Sequence, residues 1–295
     1  MSVTIDGDVI VVTGAAGGLG SSHSRLLASR GARVVVNDTG GVVDGRGGNP
    51  QAAQIVVDEI IAAGGQAVAD TNDGSTVEGA QAIIDTAVQA FGRVDGVVAN
   101  AGILRDKTFA SITDEDYFAV INTHLTGTVR VFHAAFPLLK AQGYGRLVST
   151  TSASGLFGNF GQSNYGAAKL GIVGLTQALA LEGVRYGIKA NVIAPVAQTR
   201  MSEGLMGPLE GKASPDLVSP LVAYLMSREN ELTGRIYSVG VGRIARVDVG
   251  VTRGLVNRDL DVDWIAANIK EIDDDPTYFF PETAADEMKL LAQEN

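Results

Sequence analysis

The feature that most limits how this chain can fold is a repeated succession. Short, unbroken apolar runs each enter a glycine-containing or polar turn, and a helical pattern follows. DVIVVTG is the first such run, and LGSSHSRLLASRG follows it as a helix with apolar Leu19, Leu26 and Leu27, stopped at Gly31. ARVVVND, QAVAD, VDGVVANAG, GRLVSTTS, IKANVIAP and IYSVGVG repeat the theme, mostly separated by helical stretches such as AAQIVVDEIIAAGG. Residues that are apolar at consecutive positions suit strands buried on both faces. Strand alternating with helix then requires a parallel sheet joined by right-handed crossovers. The expected fold class is therefore α/β, a doubly wound parallel sheet of about seven strands with helices on both faces. DEDYFAVINTHLTGTVRVFHAAFPLLKAQG reads as one long helix, with Ile121, Leu125, Val129, Phe132 and Phe136 at helical steps.

No linker or repeat divides the 295 residues, so a single domain spanning 1–295 is expected, with its core over about 5–253. From Gly254 the character changes to an acidic stretch with Trp264, a DDDP turn and Tyr278-Phe279-Phe280-Pro281. We expect this extension, 254–295, to pack on the core or on a neighbouring subunit.

Composition excludes several kinds of function. The chain has no cysteine, which removes disulfides, thiolate zinc sites and cysteine nucleophiles together. Lys+Arg 23 against Asp+Glu 33 gives a net charge of −10. An acidic chain without a basic run is a poor nucleic-acid binder, because phosphate neutralisation supplies most non-specific affinity. His23, His124 and His133 are its only histidines and have no metal-ligand spacing, so no metal is expected. No apolar run approaches the roughly 20 residues of a membrane span, so no membrane insertion is expected. There is no leader pattern, and the final LLAQEN is not a peroxisomal signal. The expectation is a soluble, cytoplasmic protein.

Two stretches carry chemistry. Thr13-Gly14-Ala15-Ala16-Gly17-Gly18-Leu19-Gly20 joins the first strand to the first helix. Without side chains at Gly14, Gly18 and Gly20, the backbone can approach a pyrophosphate, and the helix N-terminus offers unpaired N–H groups. Asp38 ends the second strand, where a carboxylate grips the adenosine ribose hydroxyls and repels a 2′-phosphate. Arg46 in the following glycine-rich loop is a counter-signal for NADP, but a charge directly at the ribose outweighs one on a flexible loop. The expected cofactor is NAD. Asp73-Gly74 and Asn100-Ala101-Gly102 fall at the sheet edge that would line adenine and ribose, though structural turns explain both stretches nearly as well. The second stretch is STTSASGLFGNFGQSNYGAAK. Tyr165 and Lys169 stand one turn apart on a helix, so a phenol and an ammonium share a face. Such a lysine favours the phenolate and makes tyrosine a usable acid/base. Ser152 adds a hydroxyl at the end of the RLVST strand, where open α/β sheets put their chemistry.

In order and spacing, TGAAGGLG, Asp38, ANAG, Ser152, YxxxK and the Pro195 loop resemble the short-chain dehydrogenase/reductase family over about residues 5–250, a family with a Rossmann-type fold. VNDTGG, NAGILRDKTFASITDEDY, SASGLFGNFGQSNYGAAKLGIVGL and IAPVAQTRM are more narrowly similar to its multifunctional-enzyme branch. The dehydrogenase modules of that branch act on (3R)-hydroxyacyl-CoA and on 17β-hydroxysteroids. The resemblance implies an NAD-dependent oxidoreductase with an acyl-CoA or steroid substrate, a stand-alone relative assembled as a homodimer or homotetramer. It also implies the roles of residues. Tyr165 would exchange a proton with the substrate oxygen, Lys169 would lower its pKa and hold the nicotinamide ribose, and Ser152 would hydrogen-bond the carbonyl or alcohol. Ile193 to Thr199, with Pro195 between, would clasp the carboxamide.

The chain departs from the family pattern twice. Where the family has a catalytic Asn before L-x-G on the long helix, this chain has His124, and Asn122 lies two helical steps away on the opposite face. His124 is therefore the fourth catalytic candidate, a substitution that resembles a feature of the branch. Pro195-Val196 stands where proline–glycine is usual. Three other readings compete. A silent NAD(H)-binding sensor is disfavoured by the intact Ser152, Tyr165 and Lys169. A serine hydrolase lacks both the GxSxG elbow and a histidine downstream of Ser152. An acyl-carrier-protein reductase would need NADP.

Overall fold

The apolar runs become strands in the order expected. The computed structural model describes residues 3–49, 51–202, 204 and 206–293. The strands are β1 (Val9–Thr13), β2 (Arg33–Asn37), β3 (Gln66–Asp70), β4 (Gly96–Ala99), β5 (Gly145–Thr150), β6 (Ile188–Val196), β7 (Ile236–Gly240) and β8 (Arg243–Val247). They form one sheet in the order β3-β2-β1-β4-β5-β6-β7-β8. The pairs from β3 to β7 are all parallel. Order reverses between β1 and β4, which opens a crevice beyond the carboxyl ends of these strands.

β1, with sequence VIVVT, shows why both faces are covered. Alternate side chains point to opposite faces. Ile10 and Val12 join one buried cluster with Val34, Val36, Val148 and Ile193. Val9 and Val11 join a second with Val35, Val97 and Leu147. The first cluster is covered by α1 (Gly18–Ser29), α2 (Gln51–Ala62) and α8 (Ser219–Met226), through Leu27, Val56, Ile60, Val222 and Leu225. The second is covered by α3 (Val77–Phe91), α5 (Gly127–Gln142) and α7 (Ser163–Gly183), through Ile83, Ile84, Val131, Phe132 and Ala180.

Three expectations change in detail. The sheet has eight strands, since the chain turns back after β7 into RIARV. Second, the long helix is interrupted. α4 (Asp114–Ile121) and α5 flank a π-helical turn over Asn122–Thr126, in which His124 is buried. Such single turns recur at functional sites. Third, Ser163–Tyr186 is long and apolar enough to cross a membrane by length and composition, whereas no such run was expected. Its buried Lys169, Ile172, Thr176 and Ala180 belong to the helix that packs on β5 and β6.

The chain divides into two compact units, Met1–Arg246 and Val247–Asn295. The second contains an antiparallel pair, β9 (Val251–Thr252) with β10 (Tyr278–Phe279), and two helices, α9 (Val262–Asp273) and α10 (Ala284–Gln293). Asp261 caps α9 by accepting from the Trp264 N–H at 2.7 Å. The unit begins at Val247, ahead of the change in character at Gly254.

The turn from β7 to β8 carries strain. Val241 (φ 52) and Gly242 (φ 78) both have positive φ, as a two-residue type I′ turn requires. Left-handed backbone costs a β-branched residue about 1–2 kcal/mol, and asparagine tolerates it better. Val241→Asn should therefore raise unfolding free energy by about 1 kcal/mol. Equilibrium denaturation of the two proteins would show it, and an unchanged or lower midpoint would contradict it.

Candidate active site

The glycine loop leaves β1 with Gly14 at φ 65 and enters α1 with Gly18 at φ 50. A side-chain carbon on Gly14 would fall 2.6 Å from the Ala101 Cα, and one on Gly20 would fall 2.1 Å from the Gly14 carbonyl oxygen. These two glycines thus let the loop close against the turn that follows β4 and against itself. Asn100 fastens the same junction. Its Nδ2 donates to the Thr13 and Gly14 carbonyls at 3.2 and 3.0 Å, and its backbone N–H reaches the Thr13 hydroxyl at 3.1 Å.

Around this loop lies a cavity of about 390 Å³ whose walls include Gly14, Gly17, Gly18, Leu19, Asp38, Asp73, Gly74, Asn100, Ala101, Gly102 and Thr199. Nearly every residue proposed from sequence for the adenosine and diphosphate side is therefore brought to one place. Asp38 is fixed at one end: Oδ2 accepts from the Ala16 N–H at 2.9 Å and Oδ1 from the Gly40 N–H at 2.7 Å. Arg46 is absent from the walls. Its guanidinium lies 3.8 Å from both Asp44 and Glu115, and it is 66% exposed. Gly20, Ile193 and Pro195 are not among the walls either. Ile193 is fully buried in the core and its carbonyl accepts from the Thr151 N–H at 2.8 Å. An open backbone cradle with a fixed carboxylate at one end fits a dinucleotide.

The catalytic candidates lie beyond Gly102. A side-chain carbon there would come 2.2 Å from His124 Cε1, so His124 packs directly on the last glycine of the ANAG turn. On its other side the His124 ring meets the Tyr165 ring edge-on, with centroids 5.1 Å apart and planes at 88°. His124 Nε2 sits 3.0 Å from the Ile103 nitrogen and 2.8 Å from its carbonyl oxygen. Burial holds its pKa well below the ordinary 6.5, and the charge of Lys169 pushes the same way. The ring is neutral at neutral pH.

Ser152 caps α6 (Ala153–Phe157), accepting from the Ser154 N–H at 3.2 Å. α6 packs on α7 through Gly155, where a side-chain carbon would lie 2.6 Å from the Lys169 Cβ. That contact brings the Ser152 hydroxyl into hydrogen bond with Tyr165. Burial raises the Tyr165 pKa above 10, the Ser152 hydrogen bond lowers it, and the charge of Asp106 raises it. Lys169 is buried, with Nζ 5.5 Å from the Tyr165 ring centre and donating to the Thr150 carbonyl at 2.6 Å. Burial depresses its pKa from 10.5 to about 7. From the YxxxK spacing alone, Lys169 is expected to lower the Tyr165 pKa. Here the balance goes the other way, because both groups are removed from water.

Two residues at the site were not singled out from sequence. Arg200 lines the cavity one residue beyond Thr199. Asp106 is held beside Tyr165 by Gln162, whose Nε2 donates to Oδ2 at 2.6 Å. Only the position of Arg200, next to a residue already assigned, was a signal in the sequence.

Known proteins resemble the chain in sequence and in fold. The short chain dehydrogenase family model matches residues 8–206. A short-chain type dehydrogenase/reductase of Mycobacterium tuberculosis is 50% identical over 269 residues, covering 90% of this chain and 94% of its own. The peroxisomal hydratase-dehydrogenase-epimerase of Neurospora crassa is 48% identical, over 85% of this chain but 28% of the fungal protein. The solved structure of full-length peroxisomal multifunctional enzyme type 2 from Drosophila melanogaster superposes with a TM-score of 0.84 at 34% identity. It covers 99% of this chain and 50% of the insect chain.

Proposed function

The chain belongs to the short-chain dehydrogenase family and is an oxidoreductase, and on that premise we propose that it oxidises (3R)-hydroxyacyl-CoA to 3-oxoacyl-CoA with NAD. The observation that carries this reading is a junction. Gly102 is in the wall of the cavity that fits a dinucleotide, and His124 touches both Gly102 and Tyr165. A coenzyme bound in the cavity would supply the hydride acceptor. The chain's own residues then manage the oxygen and its proton. Ser152 hydrogen-bonds the substrate hydroxyl, and Tyr165 takes the proton as the C–O bond gains double-bond character. A proton on Lys169 stabilises the phenolate that must form first. The similarity to proteins that join a hydratase to a dehydrogenase supports the substrate class, since hydration of a double bond yields the secondary alcohol that a dehydrogenase consumes.

Several apolar side chains on adjoining helices are exposed: Phe118 on α4, Val129 and Leu138 on α5, Leu170 and Leu181 on α7. They support a homodimer or homotetramer as the working form.

The test is turnover with (3R)-hydroxyacyl-CoAs of graded chain length beside 17β-hydroxysteroids, each with NAD and with NADP. Thioester oxidation with NAD should be fastest. A steroid oxidised faster than every thioester would overturn the substrate assignment.

Coenzyme choice has a separate test. A 2′-phosphate brings about two negative charges toward Asp38. At ~4 Å and an effective dielectric near 20, one such repulsion is worth about 4 kcal/mol, and a third of that is about tenfold in affinity. Arg46 is turned to Asp44 and Glu115 and does not offset it. Wild type should bind NAD at least about tenfold tighter than NADP. Asp38→Asn keeps a carbonyl acceptor for one loop N–H while removing the charge, and should erase most of that preference. Tighter binding of NADP by wild type would overturn the role of Asp38.

A further inference from the structure

Among the described residues, Arg200 is the only cationic residue in the wall of the coenzyme cavity, which otherwise holds the carboxylates of Asp38 and Asp73. Its Nη2 lies 3.6 Å from where a side-chain carbon on Gly17 would stand, against the loop that opens α1. Thr199, its neighbour, packs a methyl 3.1 Å from the corresponding point on Gly18. The base of the segment is held: the Thr199 N–H donates to Ser202 Oγ at 2.9 Å, and that hydroxyl donates to the Ala197 carbonyl at 2.8 Å. The guanidinium itself has no ion-pair partner or hydrogen-bond acceptor among the described residues. Arg200 is exposed, and in a chain of net charge −10 it places a cation beside Gly17, the N-cap of α1, where a bound diphosphate would also meet the helix N-terminus.

We propose that Arg200 is a binding residue for the coenzyme diphosphate, supplying the positive charge that the glycine loop lacks. The assignment rests on the coenzyme reading above. Backbone N–H groups and a helix dipole attract an anion without neutralising it. A guanidinium adds a full charge and a forked donor matched to phosphate oxygens.

The test is binding, read by NADH fluorescence and by calorimetry with ADP-ribose and with adenosine. Arg200→Gln should weaken NADH and ADP-ribose by about tenfold or more, the scale of a charge-assisted hydrogen bond. Adenosine, which has no phosphate, should bind both proteins alike. Raising salt should weaken NADH binding to wild type more than to the variant. Arg200→Lys should recover part of the loss, and Arg46→Gln should change nothing. Circular dichroism checks that the variants are folded. NADH binding to Arg200→Gln within about twofold of wild type would overturn the proposal alone. A wild type that binds neither NADH nor NADPH would overturn the coenzyme reading, and this assignment with it.

Discussion

Tyr165→Phe should bind NADH as tightly as wild type and turn over at least about 100-fold more slowly, the lower end of what general acid–base catalysis contributes. The two effects separate because the substitution removes one atom with one task. The ring remains, and with it the edge-on contact to His124. Ser152 keeps its cap on α6, since its oxygen still accepts from the Ser154 N–H at 3.2 Å. No wall of the coenzyme cavity is formed by Tyr165. What disappears is the hydroxyl that would exchange the proton beside Ser152. Steady-state rates with NADH titrations on the same preparations would check this. A variant with near-wild-type turnover at matched NADH affinity would place the proton transfer elsewhere.

Lys169→Met should make the coenzyme-free protein more stable while removing most of its activity. Burial lowers the Lys169 pKa from 10.5 to about 7. Between those values the unfolded chain holds a proton that the folded chain does not, so folding stability rises with pH across that window. At neutral pH nearly the whole penalty is in force, about 5 kcal/mol for a shift of this size at ~1.4 kcal/mol per unit. Against it stands the hydrogen bond to the Thr150 carbonyl at 2.6 Å, whose loss leaves a buried acceptor unpaired at about 1–3 kcal/mol. The remainder favours the variant by about 2–4 kcal/mol. The gain should also shrink as pH is raised from 7 toward 10. Urea unfolding of both proteins across that range checks the sign, and a variant less stable than wild type at pH 7 would contradict it. The lysine is then a group retained for turnover against folding stability.

How far the sequence could be read follows from where the information sits. Runs such as VIVVT and RVVVN are apolar at every position, so they declare strands buried on both faces, and their order declares the doubly wound sheet. The glycine loop, Asp38 and the Tyr165–Lys169 pair were legible because local spacing alone fixes what they share. The π-helical turn at Asn122–Thr126 was not, because one extra residue in a turn leaves the helical periodicity on either side intact. RIARV was missed as an eighth strand because two arginines interrupt its apolar run and none of its residues is buried. Asp106 and Arg200 reach the site only through tertiary packing. The tyrosine pKa moved against expectation for the same reason, since burial is a property of the fold and not of the YxxxK spacing.

The most direct measurement is NADH formation with the (3R) and (3S) enantiomers of one hydroxyacyl-CoA, using wild type and Tyr165→Phe side by side. Wild type should reduce NAD with the (3R) form and little with the (3S) form, and the variant should be at least about 100-fold slower. Oxidation of the (3S) form in preference, or an equal rate in Tyr165→Phe, would contradict it.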